Sequence, residues 1–461
     1  MLQPPVHRKA THKFWVLGLA LAAFIFILLF PVIPDRAANG ALAVLIAAAL
    51  LWMTEAIPLS LTALLIPVMA IMLGLLPSDD AFSQFANPVI FLFMGGFVLA
   101  GALTLHSLDQ VIATKLIALA RGNFYRSAIF LMLSTSLLAC WISNTSSTAM
   151  MIPLALGLLG MSTVKQMQNE SRFLLLGIAY SANIGGVITM IATPPNAIGA
   201  AIVGLSFSEW LLYGLPIFLI TFPIMVLVLT MYFKPDRKMK VGAIIIKDVK
   251  SPHRKSLLAI FFLTVILWMS ESLLAPLLNI ASGYNSLVGI GAIVLLYLFQ
   301  IMPRKEILKS IRWEILLLFG GGLTLGLLVD KSGLGIILVT QIMKVYNVVP
   351  LIVFIWLVVI LSIAMTEFMS NTASAALILP LLYTLAVQSN INPIIIVLPA
   401  TIAASYGFML PVGTPPNAMA YSTGVIPQKE MMKVGLILNL TFSIILTLFF
   451  YLLAVLPQIS L

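Results

Sequence analysis

The hydrophobic positions of this 461-residue chain run in long blocks separated by short polar segments. About 20 consecutive apolar residues in a helix cross the roughly 30 Å hydrocarbon core of a bilayer. Blocks of this kind lie near 14–32, 39–57, 58–76, 85–105, 173–210, 211–233, 256–278, 286–301, 313–330, 393–427 and 434–457, which predicts eleven spans. The first follows the basic residues Arg8, Lys9 and Lys13, as a signal peptide would. It is long enough to cross, no small-residue cleavage site follows it, and it reads as a retained span.

Two further apolar stretches, 127–162 and 350–388, are each interrupted midway by small polar residues. As a helix, 127–142 is roughly 24 Å long, too short to cross. Both stretches are therefore expected to be re-entrant hairpins. The predicted fold class is an all-α polytopic membrane protein with eleven transmembrane helices and two such hairpins.

Charge orients the predicted layout. With residues 1–13 in the cytoplasm, 22 of the 25 Lys and Arg fall in cytoplasmic segments, and only Arg36, Lys331 and Lys344 lie outside. Treating either hairpin alone as one crossing would invert every later loop and destroy this bias. The expected location is a bacterial inner (plasma) membrane, with the N-terminus cytoplasmic and the C-terminus external.

Composition agrees: the chain is 61% hydrophobic and 9% charged, and its mean hydropathy is +1.12. The net charge of +10 is a topology signal and not a nucleic-acid footprint, although the basic connector 234–255 is placed to meet anionic lipid. The single cysteine, Cys140, excludes an internal disulfide or a Cys-based metal site. No GxxxxGK[ST] motif is present, so direct ATP coupling within this chain is not supported.

The chain also resembles itself. SNTSSTAMMIP at 143–153 matches SNTASAALILP at 370–380, and TPPNA occurs at 193–197 and again at 414–418. WMTE at 52–55 and MGGF at 94–97 find weaker echoes, in the same order, in WMSE at 268–271 and FGGG at 319–322. After a tail and unpaired first span (1–38), the expected units are repeat 1 (39–233), the connector (234–255) and repeat 2 (256–461). Five crossings per unit is an odd number, so the second must enter the membrane inverted. Inverted repeats characterise secondary transporters, whose sites form near the midplane where broken helices meet.

Ser143, Asn144 and Thr145, like Ser370, Asn371 and Thr372, stand where one half-helix ends and the next begins. Ser, Asn and Thr are good N-caps, and the amides and positive dipole end beside them can hold a carboxylate without Arg or Lys. A single such tip reads as well as a simple turn cap; two matched tips entering from opposite sides point to a ligand. The TPPNA segments break spans 5 and 10, because proline removes amide donors and clashes with the preceding turn. Carbonyls at 189–192 and 410–413 are then expected to be partly free and suited to sodium. Glu55, Glu271 and Glu367 are acids placed within apolar stretches; the first two read as interface caps, and Glu367 is placed to tune the second cation pocket.

With these motifs the sequence resembles the divalent anion sodium symporter (DASS) family, which imports dicarboxylates, citrate or sulfate. The match runs from span 2 to span 11, and Ser405–Ala420, with Phe408, Pro411, Gly413 and Asn417, is similar to the family's signature segment. The resemblance implies that Asn144, Thr145, Asn371 and Thr372 contact the substrate carboxylates, with Pro415 lining the pocket and Ser143, Ser370 and Thr414 completing it. It implies one sodium site from Ser143, Asn144 and the Ala192 backbone, and another from Thr366, Asn371 and the Gly413 backbone. It also implies a homodimer in which the hairpins and spans 5, 6, 10 and 11 move as an elevator against the remaining spans. One departure stands out: Ala139 occupies the position matching Thr366, where family symporters commonly carry Ser.

The function expected is therefore not enzymatic: a sodium-coupled symporter importing C4-dicarboxylates such as succinate, malate or fumarate, with the lipid bilayer and a second copy of the chain as partners. The alternatives are a sodium-independent dicarboxylate exchanger, a sodium-coupled citrate or sulfate transporter of the same family, and, from other classes, an anion channel or an intramembrane hydrolase; the hydrolase lacks a credible base. No basic residue is expected within the membrane to neutralise the substrate, so helix ends and bound cations would have to do so.

Overall fold

The computed structural model describes residues 6–108, 122–160, 167–241, 251–346 and 349–456, with short pieces between 111 and 120. Residues 242–250 of the predicted basic connector, and the chain around 161–166, lie outside the described residues. The described chain is helical apart from one isolated bridge between Asn123 and Lys240. Long apolar side chains stand open on its outer helices, among them Trp15 (80% exposed), Leu219 (60%) and Met231 (66%). Apolar exposure on this scale needs lipid. The protein is a polytopic all-helical membrane protein.

The first half runs through α1 (Val6–Leu29), α2 (Arg36–Thr54), α3 (Leu59–Met72), α4 (Ser78–Ser83), α5 (Pro88–Leu105), α6 (Phe124–Ala139), α7 (Asn144–Leu159), α8 (Gln168–Gly185), α9 (Pro194–Val203) and α10 (Phe207–Phe233). The second runs through α11 (Arg254–Met269), α12 (Glu271–Leu277), α13 (Tyr284–Leu298), α14 (Arg304–Ser310), α15 (Trp313–Lys331), α16 (Leu334–Tyr346), α17 (Leu351–Phe368), α18 (Asn371–Gln388), α19 (Pro393–Ala403), α20 (Pro415–Ser422) and α21 (Gln428–Val455). Among the described residues seven helices are long and apolar enough to cross a membrane, or eight if the bent pair α11–α12 is one span. That set includes both arms of the second predicted hairpin and omits the two spans that TPPNA breaks.

Among the described residues three named helices arise where loops were expected: α4, α14 and α16. None is long enough to span, so a search for apolar blocks passes over them; α16 instead packs along α18. The predicted span 256–278 is not straight. It bends by 78° between α11 and α12, where Asn285 ties the corner down: its carbonyl accepts from Trp268 Nε1 at 3.0 Å and its amide donates to Glu271 at 2.6 Å. Trp52 repeats the first of these bonds, to Leu59 O at 3.2 Å.

The four predicted interruptions are all present as breaks between helices. α6 and α7 pack against each other across residues 140–143, and α17 and α18 do so across Met369 and Ser370. α8 gives way to α9 over residues 186–193, and α19 to α20 over 404–414. In each case two prolines open the second helix, at positions whose amides would have no intrahelical acceptor in any event.

Beyond the breaks, contacts cross between the halves in matched pairs. α9 packs on α18 and α19, while α20 packs on α7 and α8. Similarly α5 packs on α13 and α3 on α15. The α5–α13 approach is backbone to backbone: a Cβ on Gly95 would lie 2.5 Å from Gly289 Cα. At the α3–α15 crossing a Cβ on Gly321 would lie 2.6 Å from Ala63 Cα. Only a missing side chain permits either contact.

Candidate functional site

Four helix N-termini converge on one cavity of about 930 Å³. Ser143, Asn144 and Thr145 line it from the start of α7, and Ser370, Asn371 and Thr372 from the start of α18. Thr414 and Pro415 line it from α20, with Thr193 and Pro194 at the matching start of α9. Ala192 and Gly413 face the same space. Thr366 does not; it is fully buried behind the second tip. The structure thus brings every sequence-predicted site residue to this cavity or directly behind it.

At the tips, serine is the N-cap and Asn and Thr are the first two helical residues. Ser143 Oγ accepts from Ser146 N at 3.2 Å, so this serine caps its own helix. Ser370 makes no such bond and its hydroxyl is left to the cavity. The amides of the first helical turn have no intrahelical acceptors, and at both tips they face a cavity that can receive an anion.

Behind the tips the two halves differ. Thr366 Oγ1 lies 2.5 Å from Asn371 Oδ1 and 2.7 Å from the Ala404 carbonyl. Its counterpart Ala139 carries no hydroxyl, and the buried Asn144 Oδ1 has no hydrogen-bond partner. A Cβ on Gly186 would meet Asn144 Oδ1 at 2.6 Å, so the break in the first half lies directly against the tip because residue 186 has no side chain. The Asn183 amide reaches across the halves to Thr414 Oγ1 at 3.1 Å, leaving Asn183 Oδ1 buried and unpaired. Unpaired buried oxygens at a broken helix are the ligand type that hard cations take.

The carbonyls at the breaks are less free than expected. Asn196 Nδ2 donates to Gly186 O (2.7 Å) and Thr189 O (2.9 Å). Asn417 Nδ2 donates in the same way to Gly407 O (2.8 Å) and Leu410 O (3.1 Å). The last Asn of the Pro-Pro-Asn motif therefore holds each unwound segment in shape, which corrects the expectation of loose carbonyls at 189 and 410. Glu367 braces the second break. Its carboxylate accepts from Met409 N (2.8 Å), Leu410 N (3.0 Å) and Asn439 Nδ2 (2.7 Å), and Cys140 holds the matched position in the first half.

A model of the family described as Citrate transporter matches residues 49–401, well over half of the chain and including both tips. The protein belongs to the citrate transporter family. It is a transporter of the divalent anion sodium symporter type and not an enzyme. Uncharacterised transporters of Haemophilus influenzae (40% identical, 92% of this chain and 93% of that one) and Methanocaldococcus jannaschii (40%, 96% and 99%) are similar over nearly their full lengths. So is the sodium-dependent dicarboxylate transporter SdcS of Staphylococcus aureus strain USA300 (33%, 87% and 83%). Among solved structures, the YdaH transporter of Alcanivorax borkumensis (TM-score 0.54, 13% identical, covering 80% of this chain and 85% of that one) shares the fold. MtrF of Neisseria gonorrhoeae is comparable (TM-score 0.51, 13% identical, 82% and 83%).

This citrate transporter family member departs from the expectation of a cavity without basic groups. Arg312, assigned from sequence to a loop, is the one basic side chain lining the cavity among the described residues, and Glu55 is the one acid. Arg312 immediately precedes α15, and that helix starts beside the cavity. Sequence reading also passed over Asn183 and Tyr180, whose OH donates to Phe408 O in the other half at 2.9 Å. Neither recurs in the repeat, so nothing in the chain marked them. Asn196 and Asn417 do recur, and their role was legible in principle.

Proposed function

We propose that the protein is a sodium-coupled secondary symporter that imports C4-dicarboxylates such as succinate, malate or fumarate. The observation that carries this reading is the convergence of both Ser-Asn-Thr tips and both Pro-Pro-Asn half-helices on one cavity. Two helix N-termini lining one cavity suit two carboxylates of one small molecule. Buried unpaired oxygens on Asn144 and Asn183 suit a co-transported cation, which rides as substrate and not as a resident cofactor. The sodium-dependent dicarboxylate transporter among its relatives supports the same chemistry.

In this reading residues 39–233 and 256–461 are inverted repeats of five spans and one hairpin each, with residues 1–38 as an unpaired extra span. The exchanged packing of α9 on α18–α19 and of α20 on α7–α8 supports it, since a two-fold relation swaps these pairs. Transport by an elevator movement of a homodimer, in a plasma membrane with the N-terminus cytoplasmic, belongs to the same proposal. Asn144, Thr145, Asn371, Thr372 and Pro415 hold the dianion, with Ser143, Ser370 and Thr414 beside them. Ser143, Asn144 and Ala192 form one sodium site, and Thr366, Asn371 and Gly413 the other.

The test is uptake of radiolabelled succinate into proteoliposomes with and without an inward sodium gradient. Gradient-dependent accumulation is expected, and uptake indifferent to sodium would overturn symport. Ala139 favours a second reading, sodium-independent exchange, because the first cation site lacks the hydroxyl present at the second. Counterflow from succinate-loaded vesicles in the absence of sodium would establish that alternative.

A further inference from the structure

A second cavity, of about 350 Å³, adjoins the central one. Its walls come from α5, from the 141–146 segment and from the stretch Met302–Arg312. Three residues line both spaces: Ser143, Ala192 and Arg312. They lie where the two spaces meet, with the N-cap of α7, the end of the first break and a guanidinium at this boundary.

That guanidinium has no partner. Among the described residues the Arg312 side chain makes neither a hydrogen bond nor an ion pair, whereas its neighbours in the second cavity, Lys309 and Glu306, pair with each other at 3.7 Å. Packing does not account for its place, because the residue is exposed. Helix stability does not account for it either. A positive charge at a helix N-terminus opposes the macrodipole, at a cost of about 0.3–1 kcal/mol. An unpaired planar fork of donors beside an anion-binding helix end instead has the chemistry for bidentate capture of a carboxylate.

We infer that this boundary is a doorway and that Arg312 is its anion-binding residue, taking one carboxylate of the substrate dianion as the molecule passes between the two cavities. The inference rests on the dicarboxylate reading above and adds to it a basic contact outside the paired tips. It also supplies a selection rule: a monocarboxylate held at a tip has no second carboxylate to offer Arg312, so the residue favours dianions.

Arg312→Gln and Arg312→Lys, reconstituted beside the unaltered protein, decide it through the concentration dependence of initial succinate uptake. Losing a charge-assisted pair of this kind raises KM by about tenfold in the Gln variant, with maximal rate within about twofold, and the Lys variant falls between. The KM of the Gln variant also depends less on ionic strength, because a screened attraction has been removed. A KM within about twofold of the original, with unchanged salt dependence, overturns the inference.

If the unaltered protein does not carry succinate, the dicarboxylate reading fails, and the doorway is tested with purified protein by thermal stabilisation with citrate and with sulfate. Stabilisation that disappears in Arg312→Gln supports the anion-binding role. Stabilisation that persists in the variant, or is absent from the unaltered protein for both anions, overturns it.

Discussion

Thr366 Oγ1 sits 2.5 Å from Asn371 Oδ1, whereas the matching Asn144 Oδ1 is buried without a hydrogen-bond partner and Ala139 offers it no hydroxyl. The two tips share a motif and a cavity, but one Asn is held by a hydroxyl and the other is not. Ala139→Ser should supply the missing group to the first site, and Thr366→Ala should remove it from the second. One hydrogen bond worth about 1 kcal/mol corresponds to about a fivefold change in affinity. The half-saturating sodium concentration for uptake is expected to fall by about that factor in the Ser variant and to rise in the Ala variant. Identical sodium activation curves for all three proteins would show that residues 139 and 366 do not influence cation binding.

Asn144→Ala and Asn371→Ala are each expected to abolish succinate transport while leaving the fold intact. Asn144 makes no structural hydrogen bond through its side-chain oxygen, so truncating it costs the fold little. Normal size-exclusion behaviour together with absent uptake is the expected pair of results. Normal uptake by either variant would refute a site shared by both tips.

Asn417 should behave in the opposite way. Its buried amide donates to Gly407 O and Leu410 O, and Asn417→Ala leaves Gly407 O unsatisfied and Leu410 O with only the Gly413 amide. At about 1–3 kcal/mol for each abandoned buried group, the melting temperature of the purified protein should fall by several degrees and transport should fall with it. Asn196→Ala should show the same loss, because its amide holds Gly186 O and Thr189 O. A variant as stable as the parent would mean that the unwound segments keep their shape without this brace.

Glu367→Gln probes the asymmetry of the two breaks. The carboxylate accepts three hydrogen bonds, from Met409 N, Leu410 N and Asn439 Nδ2, and a carboxamide turns one of its acceptors into a donor facing a donor. A loss of about 2–4 kcal/mol in stability is expected, read as a lowered denaturation midpoint in detergent. Cys140→Ser, at the matched position of the first half, should cost less, about 1 kcal/mol, because that buried side chain braces no amides and a hydroxyl can keep its bond to Leu137 O. Equal effects from the two substitutions would remove the structural distinction drawn between the halves.

Much of this protein is written along the chain in a form that needs no third dimension. Long apolar blocks specify membrane helices because lipid offers backbone groups no partners, and Pro-Pro stops a helix wherever it falls. The recurrence of Ser-Asn-Thr and Thr-Pro-Pro-Asn marked both tips and both breaks, and each is a break between helices in the fold. These are local properties: one residue's missing amide, or one turn's need for a cap.

Other features depended on which elements meet. Residues 183 and 414 lie in different halves, and only packing of α20 on α8 brings the Asn183 amide to the Thr414 hydroxyl. The bend at Ser270 needs Asn285 from the next helix. Arg312, placed by its charge in a loop, is set at the cavity wall because α15 begins there. Composition can say that a cation avoids hydrocarbon, but the distance of a helix end from a cavity is set by how neighbouring helices approach one another, and at α5–α13 and α3–α15 that approach is governed by residues with little or no side chain.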